Sequence, residues 1–188
     1  MSKRWKIRVG FLVVAAVGLG VSGSLSAEEA PLSSQHSMVL HPPSPDLKIS
    51  EEELKGVVGF FHKAEQAIES EDVESLMALY SDRYTNLRNG DKSFAEEIWK
   101  QIFATFDDIT ASHSMSLIAY DEANGQAVTE CTGLLVGTPK GAKAPVSIDS
   151  WDMQRHVLIK EGEWKLFGNA GRAAERFGQK DRQVHPLF

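Results

Sequence analysis

The residue types that could do chemistry are concentrated in one stretch, residues 146–160, which reads as a single long strand. With the two-residue period of extended chain, one face carries Ser150, Asp152, Gln154, His156 and Leu158. The other carries Asp149, Trp151, Met153, Arg155, Val157 and Ile159. An acid, an amide and an imidazole on one face suit general acid and base work, because imidazole titrates near neutrality. The same groups could instead bond to one another or to water and only shape a polar cavity. No nucleophile elbow, phosphate loop, cysteine pair or metal-spaced histidine cluster accompanies them, so the sequence asks for neither a metal nor a cofactor. His62 and His113 read as surface or partly buried structural residues, and the lone Cys131 as a buried apolar thiol. His36 and His41 sit in a stretch without periodicity and read as bystanders.

Such a strand needs a frame. Residues 49–54 open a first helix, with Ser50 as cap, Glu53 reaching back to it, and Ile49 closing over Leu54. Leu54, Val57, Val58, Phe61, Ala64 and Ile68 then mark one helical face. A second helix starts near Asp72, with Val73, Leu76, Met77 and Tyr80 inward. A short strand over 82–88 and the Asn89-Gly90 turn come next. Ser93-Phe94-Ala95-Glu96 reads as a capping box for a third helix bearing Ala95, Ile98, Trp99, Ile102, Phe103 and Phe106. From residue 109 the period becomes strand-like, with strands expected over 109–120, 126–137, 146–160 and 163–169. Asn124-Gly125 and Glu161-Gly162 supply tight turns between them. Helices followed by an antiparallel meander predict an α+β domain with its helices on one face of the sheet.

The ordered set of segments resembles the nuclear transport factor 2-like superfamily, in its SnoaL-like and ketosteroid-isomerase-like branches. The matching pieces are Ala67-Ile68-Glu69-Ser70-Glu71-Asp72, Leu79-Tyr80-Ser81-Asp82, Asn89-Gly90 and Glu161-Gly162-Glu163-Trp164-Lys165-Leu166, spanning residues 52–170. The resemblance implies three N-terminal helices packed on a strongly curved antiparallel sheet, a cone-shaped α+β barrel with a pocket, often dimerised through the outer sheet face. It also implies a register in which Asp152, Gln154 and His156 face the pocket beneath Tyr84, Trp99 and Phe103. Trp151, Met153, Val157 and Ile159 would then form an apolar outer stripe suited to a homodimer. A register one residue off would leave an apolar pocket with Arg155 as its one charge, suited to a hydrophobic carboxylate. The isomerase's base, tyrosine donor and protonated acid fall at Arg88, Ala64 and Gln154, so steroid-isomerase chemistry is not carried over.

The ends bound location and partners. Lys3, Arg4, Lys6 and Arg8 precede an apolar run over 9–21 and small residues up to Ala27, the pattern of a secretory signal peptide. Removing residues 1–27 moves the net charge from −6 to about −10. So acidic a chain repels nucleic acid and anionic membrane surfaces. The domain plan is a signal peptide over 1–27, a flexible linker over 28–48, a folded domain over 49–170 and a tail over 171–188. The expectation is an exported, periplasmic or secreted domain with no membrane anchor after cleavage. It would bind a small organic ligand through Tyr84, Trp99, Phe103, Asp152, Gln154 and His156, as a homodimer. The alternatives are a metal-independent isomerase, lyase or hydrolase using a pocket His or Asp, and an assembly subunit.

Overall fold

The computed structural model describes residues 37–170, so the expected signal peptide and tail lie outside the described residues. The elements run β1 (Ser37–His41), α1 (Glu51–Glu69), α2 (Val73–Ala78), β2 (Tyr80–Thr85), α3 (Lys92–Thr105), β3 (Phe106–Asp121), β4 (Gln126–Pro139), β5 (Val146–Glu161) and β6 (Glu163–Ala170). One sheet takes the order β1-β3-β4-β5-β6-β2, so its centre is the antiparallel meander expected from the strand periods. Helix α1 lies over β3 and β6, and α3 against β2 and β3. The sheet is curved but unclosed. Its edges are β1, parallel to β3, and β2, parallel to β6, so the expected closed cone is an open trough. Within the span expected as linker, Ser37–His41 forms a strand that pairs in parallel with β3.

Local chemistry explains the element ends. Ser50 Oγ accepts from Glu53 N–H at 3.1 Å and so caps α1, but the Glu53 carboxylate leaves the expected box to bond Lys160 Nζ on β5. Asp72 caps α2 by accepting from Ser75 N–H at 3.0 Å. Helix α3 starts earlier than its expected box: Asp91 is the cap, accepting from Phe94 N–H at 2.9 Å. A carboxylate at the cap outcompetes the Ser93 hydroxyl because it accepts more strongly from a free amide. Gly125 and Gly162 turn the two hairpins at φ of 56° and 79°, where a Cβ would strain the chain.

The decisive irregularity is in β5. Cys131 pairs with Gln154, but Gly133 pairs with Trp151, so three steps on β5 oppose two on β4. That is a β-bulge, and Met153 takes a left-handed φ of 51° within it. The Thr132 hydroxyl clips it, accepting from Met153 N–H at 3.0 Å and donating to Asp152 at 2.8 Å. The bulge resets the alternation, so Trp151 joins Gln154, His156 and Leu158 on the buried face while Asp152 and Met153 are exposed. Gly133 makes this possible: a Cβ there would lie 2.2 Å from the Trp151 ring and 2.7 Å from the Ser112 carbonyl.

Candidate functional site

The sequence-derived candidates fall into two groups. The aromatic group lies on β2 and α3. Trp99 Nε1 donates to the Tyr80 hydroxyl at 3.0 Å, Tyr80 meets Tyr84 edge-on at 4.8 Å, and Trp99 lies 5.5 Å from Phe103. All four rings are buried, and burial raises the Tyr80 and Tyr84 hydroxyls above the usual tyrosine range, so neither ionises near neutrality. The polar group keeps Gln154 and His156, both buried on β5. Asp152 is not part of it. The bulge turns that carboxylate outward onto Thr132, where it holds the strand's shape. Trp151, expected on the outer face, is buried instead, with its Nε1 donating to Cys131 Sγ at 3.4 Å.

An acid from another element occupies the interior. Glu65 on α1 and His113 on β3 both have fully buried side chains, with Glu65 Oε1 at 3.5 Å from His113 Nε2. The other carboxylate oxygen, Oε2, lies 3.4 Å from Nδ1 of His62, whose side chain is 46% exposed. His113 and His156 both pack edge-on to one ring, each with its centroid 5.9 Å from that of Phe61. In the sheet His156 is flanked by Thr129 on β4 and Asn169 on β6. Asn169 Nδ2 donates to His156 Nδ1 at 3.3 Å, which leaves the ring's own proton on Nε2.

Burial sets the charge states. It holds His156 down to about 3, with the neighbouring His113 adding to the effect. It holds His113 down to about 4, with His62 adding. Both imidazoles are therefore neutral at pH 7 and weak bases there, each with one nitrogen to donate and one to accept a hydrogen bond. Burial pushes the Cys131 thiol up to about 12, against the hydrogen bond from Trp151, which excludes a thiolate there near neutrality. Among the described residues no group of three His, Cys, Asp or Glu side chains is placed to hold a metal ion.

Glu65 and His113 were legible only as anomalies. Glu65 is four residues after Phe61 and three before Ile68, so it lies on the apolar stripe of α1. His113 interrupts the buried alternation Ile109, Ala111, Met115, Leu117 on β3. A titratable side chain on an otherwise apolar face is the signal in both cases.

No protein-family model matches the chain, and no curated protein matches its sequence. Solved structures do match its shape. A candidate scytalone dehydratase from Novosphingobium aromaticivorans superposes with a TM-score of 0.56 at 14% identity, over 69% of this chain and 96% of that one. A candidate aromatic ring hydroxylase from the same organism gives 0.56 at 10% identity, over 68% and 96%. A candidate dehydratase of the NTF2-like family from Streptomyces avermitilis gives 0.53 at 14% identity, over 64% and 95%. The chain has the nuclear transport factor 2-like fold.

Proposed function

We propose that this chain is an exported domain that holds a small, partly apolar organic molecule on the concave side of its sheet, as a homodimer joined through the outer face. One observation carries the binding reading: Glu65, His113 and His156 come from three elements and converge in an aromatic-walled interior. A core built only for stability gains nothing from them, since buried ionisable groups cost more than apolar residues of like volume. Their concentration in one place is the mark of a site. The candidate dehydratases and hydroxylase of the same fold fit small organic ligands, as an analogy of fold. Because the three side chains are closed from solvent, entry requires the helical cover to move against the sheet. The test is native mass spectrometry of protein purified from its exported compartment. The expected result is a retained small molecule in the wild type and in Asp152→Ala, and its loss in Glu65→Gln. Bare protein throughout would overturn the reading.

A second reading, a metal-independent lyase, isomerase or hydrolase, is supported by the His113 imidazole facing the Glu65 carboxyl at 3.5 Å in the buried interior. His156 or His113 would take a proton from the bound molecule and Glu65 would orient the imidazole it faces. His156→Gln protein would then trap a molecule different in mass or isomer from that held by the wild type. The same molecule in both would leave a binder without catalysis.

A further inference from the structure

We propose that the groove between α1 and the β5–β6 hairpin is a binding site separate from the imidazole interior, taking an uncharged, hydroxyl-rich molecule about the size of one sugar ring. The groove encloses about 290 Å³, with Gly56, Gly59 and Phe60 of α1 on one side and Trp164 of β6 on the other. Trp164 is only 6% exposed, and its Nε1–H has no hydrogen-bond partner among the described residues. A buried donor without an acceptor is costly, so a ligand oxygen placed there completes the structure. The donor edge of the indole lies against α1: a Cβ on Gly56 would come within 2.7 Å of Cδ1 and 2.8 Å of Nε1. Gly56 is thus explained by the ring it admits. Gly59 is not explained by packing, because a Cβ there would meet nothing within 4 Å, and glycine weakens a helix relative to alanine. What its missing side chain does is keep the groove open beside Trp164. A ligand oxygen reaches Nε1 by a small turn of the indole toward that space.

The rim selects the kind of molecule. Lys63 pairs with Glu163 at 2.9 Å, and Lys160 pairs with Glu53. The hydrogen bond to Glu53 raises the Lys160 ammonium above the usual lysine range, and the one from Lys63 lowers the Glu163 carboxyl. A charged ligand would have to compete with one of these pairs. Hydroxyl groups need break neither, since each accepts from a spare ammonium N–H or from Nε1 and donates to a carboxylate oxygen. Glu52 adds a third carboxylate against two ammonium groups, which turns anions away. Phe60 and Trp164 supply apolar surface for the C–H groups of a sugar ring.

The test follows the Trp164 indole N–H in ¹⁵N–¹H spectra of the full chain, its cross-peak assigned from Trp164→Phe. Glucose, galactose and myo-inositol are each raised to about 50 mM, enough to fill a millimolar site. At least one is expected to move that cross-peak saturably while those of Trp99 and Trp151 stay in place. Glutarate and cyclohexylammonium, of similar size but charged, are expected to leave it unmoved. Gly59→Leu sends its side chain back over Gly56 and fills the groove without meeting another group, so the amide spectrum away from the groove should be kept and the shift lost. Gly59→Gln serves the same purpose should Gly59→Leu fail to fold. No saturable shift with any of the three polyols, a shift that persists in the filled variant, or a stronger response to either charged probe would each overturn the proposal. The interior may bind or stay empty without altering this outcome, because Glu65, His113 and His156 take no part in it.

Discussion

At the residue scale, burial keeps two imidazoles, His113 and His156, neutral. In the unfolded chain each titrates near 6.5, whereas in the fold His113 is held down to about 4 and His156 to about 3. A lowered folded value means the unfolded state takes up protons first. Their neutral form therefore costs no stability above about pH 6.5, and stability is lost as pH falls below it toward the folded values. Between pH 7 and pH 5, His156→Gln is expected to lose less stability than the wild type by roughly 1–2 kcal/mol, measured by urea denaturation at each pH. Equal pH slopes in both proteins would show that His156 is reached by water. His156 and Gln154 were legible because a two-residue period placed them together; Asp152 was misplaced by the same rule. Glu65 was missed because a glutamate on a helix reads as a solvated residue unless its place between Phe61 and Ile68 is weighed.

At the element scale, the strands of the meander were legible nearly to their ends, because alternation and the turn glycines Gly125 and Gly162 bound them. The bulge in β5 was not, since one added residue leaves every residue type unchanged and only shifts which face it joins. Its signature is three-dimensional, the fit of Trp151 over Gly133. Gly133→Ala is expected to destabilise the fold by about 1–3 kcal/mol in urea titrations, because neither the indole nor the Ser112 backbone can step aside cheaply. A neutral effect would contradict the packing of Trp151. The start of α3 offers a second test. Asp91→Ala should cost about 1 kcal/mol as the lost cap. Ser93→Ala should stay within about 0.5 kcal/mol as a substitution away from it. The reverse ranking would restore the capping box read from the sequence. The strand at Ser37–His41 escaped notice because its prolines, Pro42, Pro43 and Pro45, follow immediately and dominate the local composition.

At the scale of the whole molecule, the trough has a concave side that holds the polar centre and a convex side that keeps part of the expected apolar stripe. Val157 and Ile159 remain half-buried there and Met153 is 58% exposed, while Trp151 has left for the interior. The Glu130–Arg155 pair, at 3.0 Å, crosses the same face. The proposed homodimer would cover this surface. Light scattering should give the mass of two chains for the wild type and of one for Val157→Lys, and one-chain mass for both would remove the dimer. The interior needs no partner to be enclosed, because Phe61 on α1, Trp99 on α3 and Leu158 on β5 are already buried within one chain. The proposed site depends most on uncharged His113 and His156 imidazoles in this interior, with His113 beside Glu65. Histidine side-chain ¹⁵N shifts followed from pH 8 downward measure that charge state directly. His113 and His156 are expected to keep neutral-ring shifts to below pH 5, and titration of either ring between pH 6 and pH 7 would contradict their enclosure.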